Sequence, residues 1–154
     1  MRNRYKLILC DIDGTLTDGS IHLSVNGESF KSFHVRDGLG VFLAKAKGVV
    51  FAIITGRESE ITVTRARELG IEEVHQNISD KSKVVIELIE KYGATREQVA
   101  YIGDDVNDIV VKEYVGMFAV VGDAHPIAKL SADLILKTNG GKGALREFLD
   151  QYVL

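Results

Sequence analysis

The sequence predicts an α/β fold, a doubly wound, Rossmann-like parallel sheet, on three observations. Apolar runs of strand length alternate with amphipathic helical stretches from end to end. The runs are apolar throughout, which is the pattern of strands covered on both faces in a parallel sheet. Polar residues follow the ends of those runs, and in open sheets of this class ligands bind beyond the carboxyl ends of the strands. A chain of 154 residues, 45% hydrophobic and 27% charged, suits one domain spanning 1–154 with a sizeable core.

Residues 5–11 read as the first strand, central in the sheet. "SIHLSVNGESFKSFHV" then gives two alternating runs around Asn26-Gly27, a strong hairpin signal that places a projecting β-hairpin after the first strand. A helix follows from about Gly38 to Lys47, with Leu39, Phe42, Leu43 and Ala46 as its apolar face. "VVFAIIT" at 49–55 is a second buried strand, and a helix runs from Glu58 to Leu69. A short strand at 72–75 leads to a helix near 80–92, striped by Val84, Val85, Leu88 and Tyr92. "VAYIG" at 99–103 is a strand, with a helix around 107–114. "MFAVV" at 117–121 is another strand, and a short helix follows near 126–130. "ADLIL" makes the last strand and "GALREFLDQYV" the closing helix, with no linker, repeat or low-complexity tract between elements.

Composition excludes several classes of function. A net charge of -3 with no basic block argues against general nucleic-acid binding. The longest apolar runs, such as "GVVFAII", are too short to span a membrane. The opening "MRNRYKLILC" is basic and then apolar, but it runs straight into Asp11, unlike a signal peptide. Cys10 is the single cysteine, which excludes an internal disulfide and fits a cytoplasmic location. It lies inside an apolar run and reads as a small core residue rather than a nucleophile. An anionic small molecule remains a partner, provided arginine and lysine cluster locally.

"KLILCDIDGTLTDG" sets Asp11 and Asp13 just past the first strand. Strand alternation would place both carboxylates on one face, with Ile12 on the other and Gly14 turning the chain. Two such charges are costly unless something neutralises them, so the pair points to a cation. The second strand ends in "TGR", Thr55 to Arg57; Lys81 opens the helix near 80–92; "GDDVND" supplies Asp104, Asp105 and Asp108. Carboxylates converging from two strands suit a hard divalent ion such as magnesium, which takes oxygen ligands and keeps several waters. One carboxylate can then attack phosphorus, while Thr55 and Lys81 bond phosphoryl oxygens. Plainer roles exist for some of these residues. Asp18, Asp80 and Asp123 read as helix caps or turn formers, and Asp104 with Asp108 also reads as a cap pair. Arg57 and Arg65, taken alone, read as solvated helix residues.

"DIDGT", "ITGR", Lys81 and "GDDVND", in this order, resemble the four motifs of the haloacid dehalogenase superfamily of phosphatases. "DGTLTDG", the Asn-Gly hairpin, "FHVRDGLG", "VGDAHP" and "NGGKGALREFLD" further resemble its small branch without a cap domain. That branch holds the 3-deoxy-D-manno-octulosonate 8-phosphate and nonulosonate 9-phosphate phosphatases. The resemblance implies a phosphoric monoester hydrolase that works through a phosphoaspartate. By it, Asp11 is the nucleophile and Asp13 the group that protonates the leaving oxygen and later activates water. It also implies magnesium on Asp11, the backbone carbonyl of Asp13, and Asp104, with Asp105 and Asp108 orienting Lys81 or the metal's waters. Thr55 and Lys81 would bind phosphate, and Asp13, the segment His34, Val35, Arg36, Asp37 and Gly38, and Arg57, Arg65 and Lys81 would face the substrate. Members of the branch are tetramers, so the hairpin at 20–34 is expected to pack against its copies. The pattern departs at His34, where relatives often carry asparagine, and at Phe42, where some carry arginine. Besides the eight-carbon substrate, the competing readings are a nine-carbon keto acid phosphate, a non-catalytic partner domain of a cytidylyltransferase, and a phosphotransferase of the same superfamily.

Overall fold

The computed structural model describes residues 4–154; Met1, Arg2 and Asn3 of the basic opening lie outside them. Six strands form one parallel sheet: β1 (Leu7–Cys10), β4 (Val50–Ile54), β5 (Glu73–His75), β6 (Val99–Gly103), β7 (Met117–Val120) and β8 (Leu134–Ile135). Their order across the sheet is β5-β4-β1-β6-β7-β8, with β2 (His22–Ser24) and β3 (Gly27–Phe30) as a separate antiparallel pair. The chain therefore winds outward from β1 in one direction, through α1 (Val35–Ala46) and α2 (Glu60–Glu68). It then returns through α3 (Lys81–Tyr92) to β6 on the other side of β1 and continues outward. Right-handed crossovers in opposite directions put α1 and α2 on one face and α3 on the other. The reversal falls beside β1, which makes its carboxyl end the natural crevice of the sheet.

The buried residues of β1, β4 and β6 are apolar on both faces, as their sequence required: Leu7, Ile8, Leu9, Cys10, Ile53, Ile54, Ala100 and Ile102 are all inaccessible. Burial pushes the Cys10 thiol well above its ordinary range, so it is an inert core group. The interior of α3 is Val84, Val85 and Leu88, with Tyr92 partly buried.

Four local expectations are corrected. First, α1 begins at Val35, because His34 caps it by accepting a bond from the Arg36 N–H. Its buried stripe is Asp37, Gly40, Val41 and Ala44, while Leu39 and Phe42 face outward, Phe42 being 70% exposed. The small residues win because α5 (Ala144–Tyr152), which follows the short α4 (Pro126–Ser131) and β8, crosses here; a Cβ on Gly40 would stand 2.9 Å from Leu149 Cδ1. Second, the hairpin turn is Val25-Asn26, one residue early, with Gly27 taking the positive φ of 108° and pairing with Ser24. Third, residues Val106–Tyr114 wind as a 3-10 helix, its first turn tightened by a reciprocal cap between Asp105 and Asp108. Fourth, β1 stops at Cys10, so strand alternation does not extend to Asp13. Instead the N–H groups of Thr15, Leu16 and Thr17 converge on the Ile12 carbonyl and turn the chain.

Candidate active site

Parallel register sets the stage. Cys10 pairs with Ile53 and Ile102, so the residues that follow β1, β4 and β6 emerge side by side. Asp11, Asp13, Thr55, Gly56, Arg57, Asp104, Asp105 and Asn107 line one open pocket there. Gly14 lets the turn after β1 pack closely on Asp104. It takes a φ of 92°, and a Cβ on it would lie 2.0 Å from Asp104 Oδ2, a position only glycine tolerates. Asp104 is fixed from behind as well, its carbonyl accepting from the His125 N–H at 2.8 Å.

Beneath the pocket lies a buried polar network. Lys81 Nζ donates to Asp11 Oδ1 at 2.9 Å, to Asp108 Oδ1 at 2.7 Å and to the Tyr101 hydroxyl at 3.1 Å. All three ammonium protons are thus engaged. Burial alone would lower Lys81, but Asp11 and Asp108 raise it, so it stays charged. Asp108 accepts from Lys81 and Tyr101 on one oxygen and from the Asp104 and Asp105 N–H groups on the other. With both oxygens engaged, Asp108 braces the site and keeps little to offer an ion.

The charge on the pocket side is not balanced. Oxygens of Asp11, Asp104 and Asp108 lie within 4.8 Å of one another. Burial, with repulsion from Asp11 and Asp108, pushes Asp104 up to about 8. Burial pushes Asp11 up to about 6 even though Lys81 pulls it back. Two near-buried carboxylates opposed by one ammonium form an all-oxygen donor set that a hard divalent cation completes. Within that set Asp11 and Asp104 keep oxygens to offer such an ion, and their chemistry fits magnesium.

Thr55 Oγ1 accepts from the Arg57 N–H at 3.3 Å, and its hydroxyl proton has no acceptor among the described residues. Asp105 caps the 3-10 helix by accepting from Val106 N–H and touches neither Lys81 nor Asp11. The remaining sequence candidates lie apart from this pocket in the isolated chain. His34, Asp37 and Arg65 surround a small hollow with Phe33 and Leu69. Asp37 is buried, accepting from the Arg146 N–H near the start of α5 at 2.8 Å, and Gly38 packs on Arg65. Val35 is exposed, and Arg36 lines a groove with Lys142 and Arg146. Asp80 caps α3 and Asp18 bonds the Ser20 N–H, the plain roles open to them; Asp123 accepts from the distant Gly140 N–H.

The sequence reading missed Lys31, Glu28, Tyr101 and Asn107. Tyr101 carries no signal, since a tyrosine within a buried strand reads as core. Glu28 lies in β3 and Lys31 just past its end, and their charge was the available hint.

Residues 58–148, more than half of the chain, match the family model of haloacid dehalogenase-like hydrolases. The chain belongs to that family. It is 42% identical over 149 residues to the 3-deoxy-D-manno-octulosonate 8-phosphate phosphatase KdsC of Escherichia coli K12, covering 97% of this chain and 79% of that protein. The cobalt-bound deoxy-D-mannose-octulosonate 8-phosphate phosphatase of Haemophilus influenzae superposes with a TM-score of 0.93 at 40% identity, over 97% of this chain and 87% of that one. The Moraxella catarrhalis 3-deoxy-D-manno-octulosonate 8-phosphate phosphatase, solved with magnesium, phosphate and KDO, superposes with a TM-score of 0.93 at 36% identity, over 98% and 87%. The family fold, an α/β sheet with no cap domain inserted, is the one the sequence predicted. Among the described residues no helix is long and apolar enough to cross a membrane.

Proposed function

We propose that this chain is a magnesium-dependent phosphatase that hydrolyses 3-deoxy-D-manno-octulosonate 8-phosphate to the free sugar acid and phosphate, residues 1–154 acting as one catalytic domain. The observation that carries this reading is the pair Asp11 and Asp104, in excess of negative charge above Lys81 and open to a pocket that also holds Thr55 and Arg57. Magnesium, held by Asp11, Asp104 and the Asp13 carbonyl, supplies the positive charge that lets two anions meet.

Asp11 attacks phosphorus with one carboxylate oxygen; the bond from phosphorus to the sugar oxygen breaks, and Asp13 gives that oxygen its proton. Asp13 then takes a proton from water, which attacks the phosphoaspartate, releases phosphate and restores Asp11. Thr55 donates its free hydroxyl proton to a phosphoryl oxygen. Lys81 fixes Asp11 and can reach the phosphoryl group by giving up its longest bond, to Tyr101. Arg57, with its side chain 43% exposed at the pocket rim, suits the carboxylate of a sugar acid.

The hairpin leaves the apolar side chains Ile21, Leu23, Val25 and Phe30 exposed, the last stacked on His22. That exposure supports a closed homo-oligomer, in our reading a tetramer built around residues 20–34, in which neighbours bring the His34–Gly38 and Arg65 region to bear on substrate. The lone buried Cys10 supports a cytoplasmic setting.

A panel of sugar phosphates, assayed for phosphate release with and without magnesium, tests the assignment. The expected result is selective, magnesium-dependent release from the eight-carbon substrate. Preference for a nine-carbon 9-phosphate would move the specificity, and no release from any ester would leave only a binding domain.

A further inference from the structure

Asp13 has to present its carboxylate to two different oxygens in turn, yet it sits on a turn outside the sheet. Among the described residues its side chain receives a hydrogen bond from one group, Lys31 Nζ, on Oδ1. Lys31 follows β3, and its side chain is only 2% exposed, a costly place for an ammonium. A second carboxylate holds it there: Glu28 Oε2 lies 3.0 Å from Lys31 Nζ. Glu28 is itself tied to the rigid part of the molecule, since its Oε1 accepts from the hydroxyl of Ser59, the residue that caps α2. Arg57 completes the enclosure, 3.9 Å from Asp13 Oδ2 and 3.7 Å from Glu28.

We propose that Lys31 is a positioning residue for Asp13, fixing Oδ1 so that Oδ2 faces the reacting oxygen, with Glu28 and Ser59 as its anchor. The inference rests on the reading of Asp13 as the proton donor. The physical argument is one of freedom lost. An unsupported aspartate on a turn samples several side-chain rotamers, and a misplacement of about 1 Å can cost on the order of 10²-fold in rate. A lysine buried between two carboxylates has one low-energy place for its head group, so it passes that order on to Asp13. The plainer reading is that Lys31 only pins the hairpin to the body of the domain.

The two readings differ in how the damage depends on the leaving group. A displaced proton donor matters most when the departing oxygen is strongly basic, and little when it leaves unaided. The test uses substituted phenyl phosphates of similar size, which need no sugar-binding contacts, with wild type, K31M, K31R, E28Q and D13N. For K31M the loss should be roughly tenfold to a hundredfold on the most basic leaving group and under about threefold on the least basic. D13N should show the same trend more strongly, E28Q a weaker one, and K31R should recover much of the slope. A parallel drop across the series in K31M and E28Q, or no change in either, would overturn the positioning role. A flat response in D13N would instead remove the proton-donor reading on which it depends. If K31M does not fold, E28Q and K31R decide the matter, because both leave the buried volume nearly intact.

Discussion

Two clusters of partly buried charge, on opposite sides of β4 in the strand order, show how one fold treats its carboxylates. At the edge strand β5, Glu73 receives the Lys91 ammonium, the Tyr92 hydroxyl at 2.7 Å and His75 Nε2 at 3.0 Å. Burial alone would raise Glu73, yet these partners hold it down at about 2. At the end of β1, burial and repulsion raise both Asp11 and Asp104 instead; among the described residues Lys81, on Asp11, is the one cation that pairs with either. The first cluster is complete within the chain and gains nothing from a ligand. The second is left in deficit of positive charge, and its pocket opens toward solvent. Carboxylates in the same sheet thus differ in function because of the number of cations the fold assigns them.

The sharpest way to break that contrast is to mutate both clusters and measure both properties. Asp11→Asn should lower sugar-phosphate turnover by at least on the order of 10³-fold while thermal unfolding shows no loss of stability, because one repelling charge has gone. Glu73→Gln should leave turnover at the wild-type value in the same assay. Near-normal hydrolysis by Asp11→Asn would erase the distinction.

Metal removal comes next. Exhaustive chelation should abolish turnover, magnesium should restore it, manganese or cobalt should restore part, and calcium little, since calcium prefers more ligands and longer bonds. Nothing at the Glu73 cluster should respond to chelation, which thermal unfolding of Asp11→Asn with and without chelator can check.

Smaller in effect is assembly. Replacing Ile21 and Leu23 by aspartate should dissociate the proposed oligomer in sedimentation and reduce selective hydrolysis of the sugar phosphate. A small generic ester should be affected less, because Asp11, Asp13 and Asp104 belong to one chain.

The smallest effect is expected at Glu73 itself. Its folded value of about 2 lies below the 4.5 of an unperturbed glutamate. Its contribution is therefore full above pH 4.5 and fades as pH falls toward 2. Glu73→Gln should cost about 1–2 kcal/mol at neutral pH, discounted because Lys91 is largely exposed, and the difference should close in acid. Denaturant melts at several pH values would show it, and a gap that persists at pH 2 would refute the ion-pair account.

What the sequence disclosed follows the same division. Asp11, Thr55 and Asp104 were legible because a polar residue directly after an apolar strand has one place to go, the carboxyl edge of the sheet. The hairpin was legible as a hairpin, from its alternation and its glycine, but not the direction in which it leans. For that reason Lys31 and Glu28 stayed hidden although they touch Asp13 and Arg57. The outward face of α1 was misjudged because periodicity counts apolar residues, whereas packing against α5 selected the small ones at Gly40 and Ala44. Asp37 drew attention as a substrate contact through its motif; only the three-dimensional structure shows it bonded to the Arg146 N–H.

The central claim is that the charge deficit at the end of β1 exists so that Asp11 can take a phosphoryl group. The direct test is acid quenching during steady turnover of 3-deoxy-D-manno-octulosonate 8-phosphate with magnesium, followed by mass analysis of peptides. The account predicts a phosphoryl group on the peptide carrying Asp11 in wild type, absent from Asp11→Asn and absent when magnesium is withheld. Sustained turnover with an unmodified Asp11 peptide, or with the phosphoryl group on another residue, would contradict it.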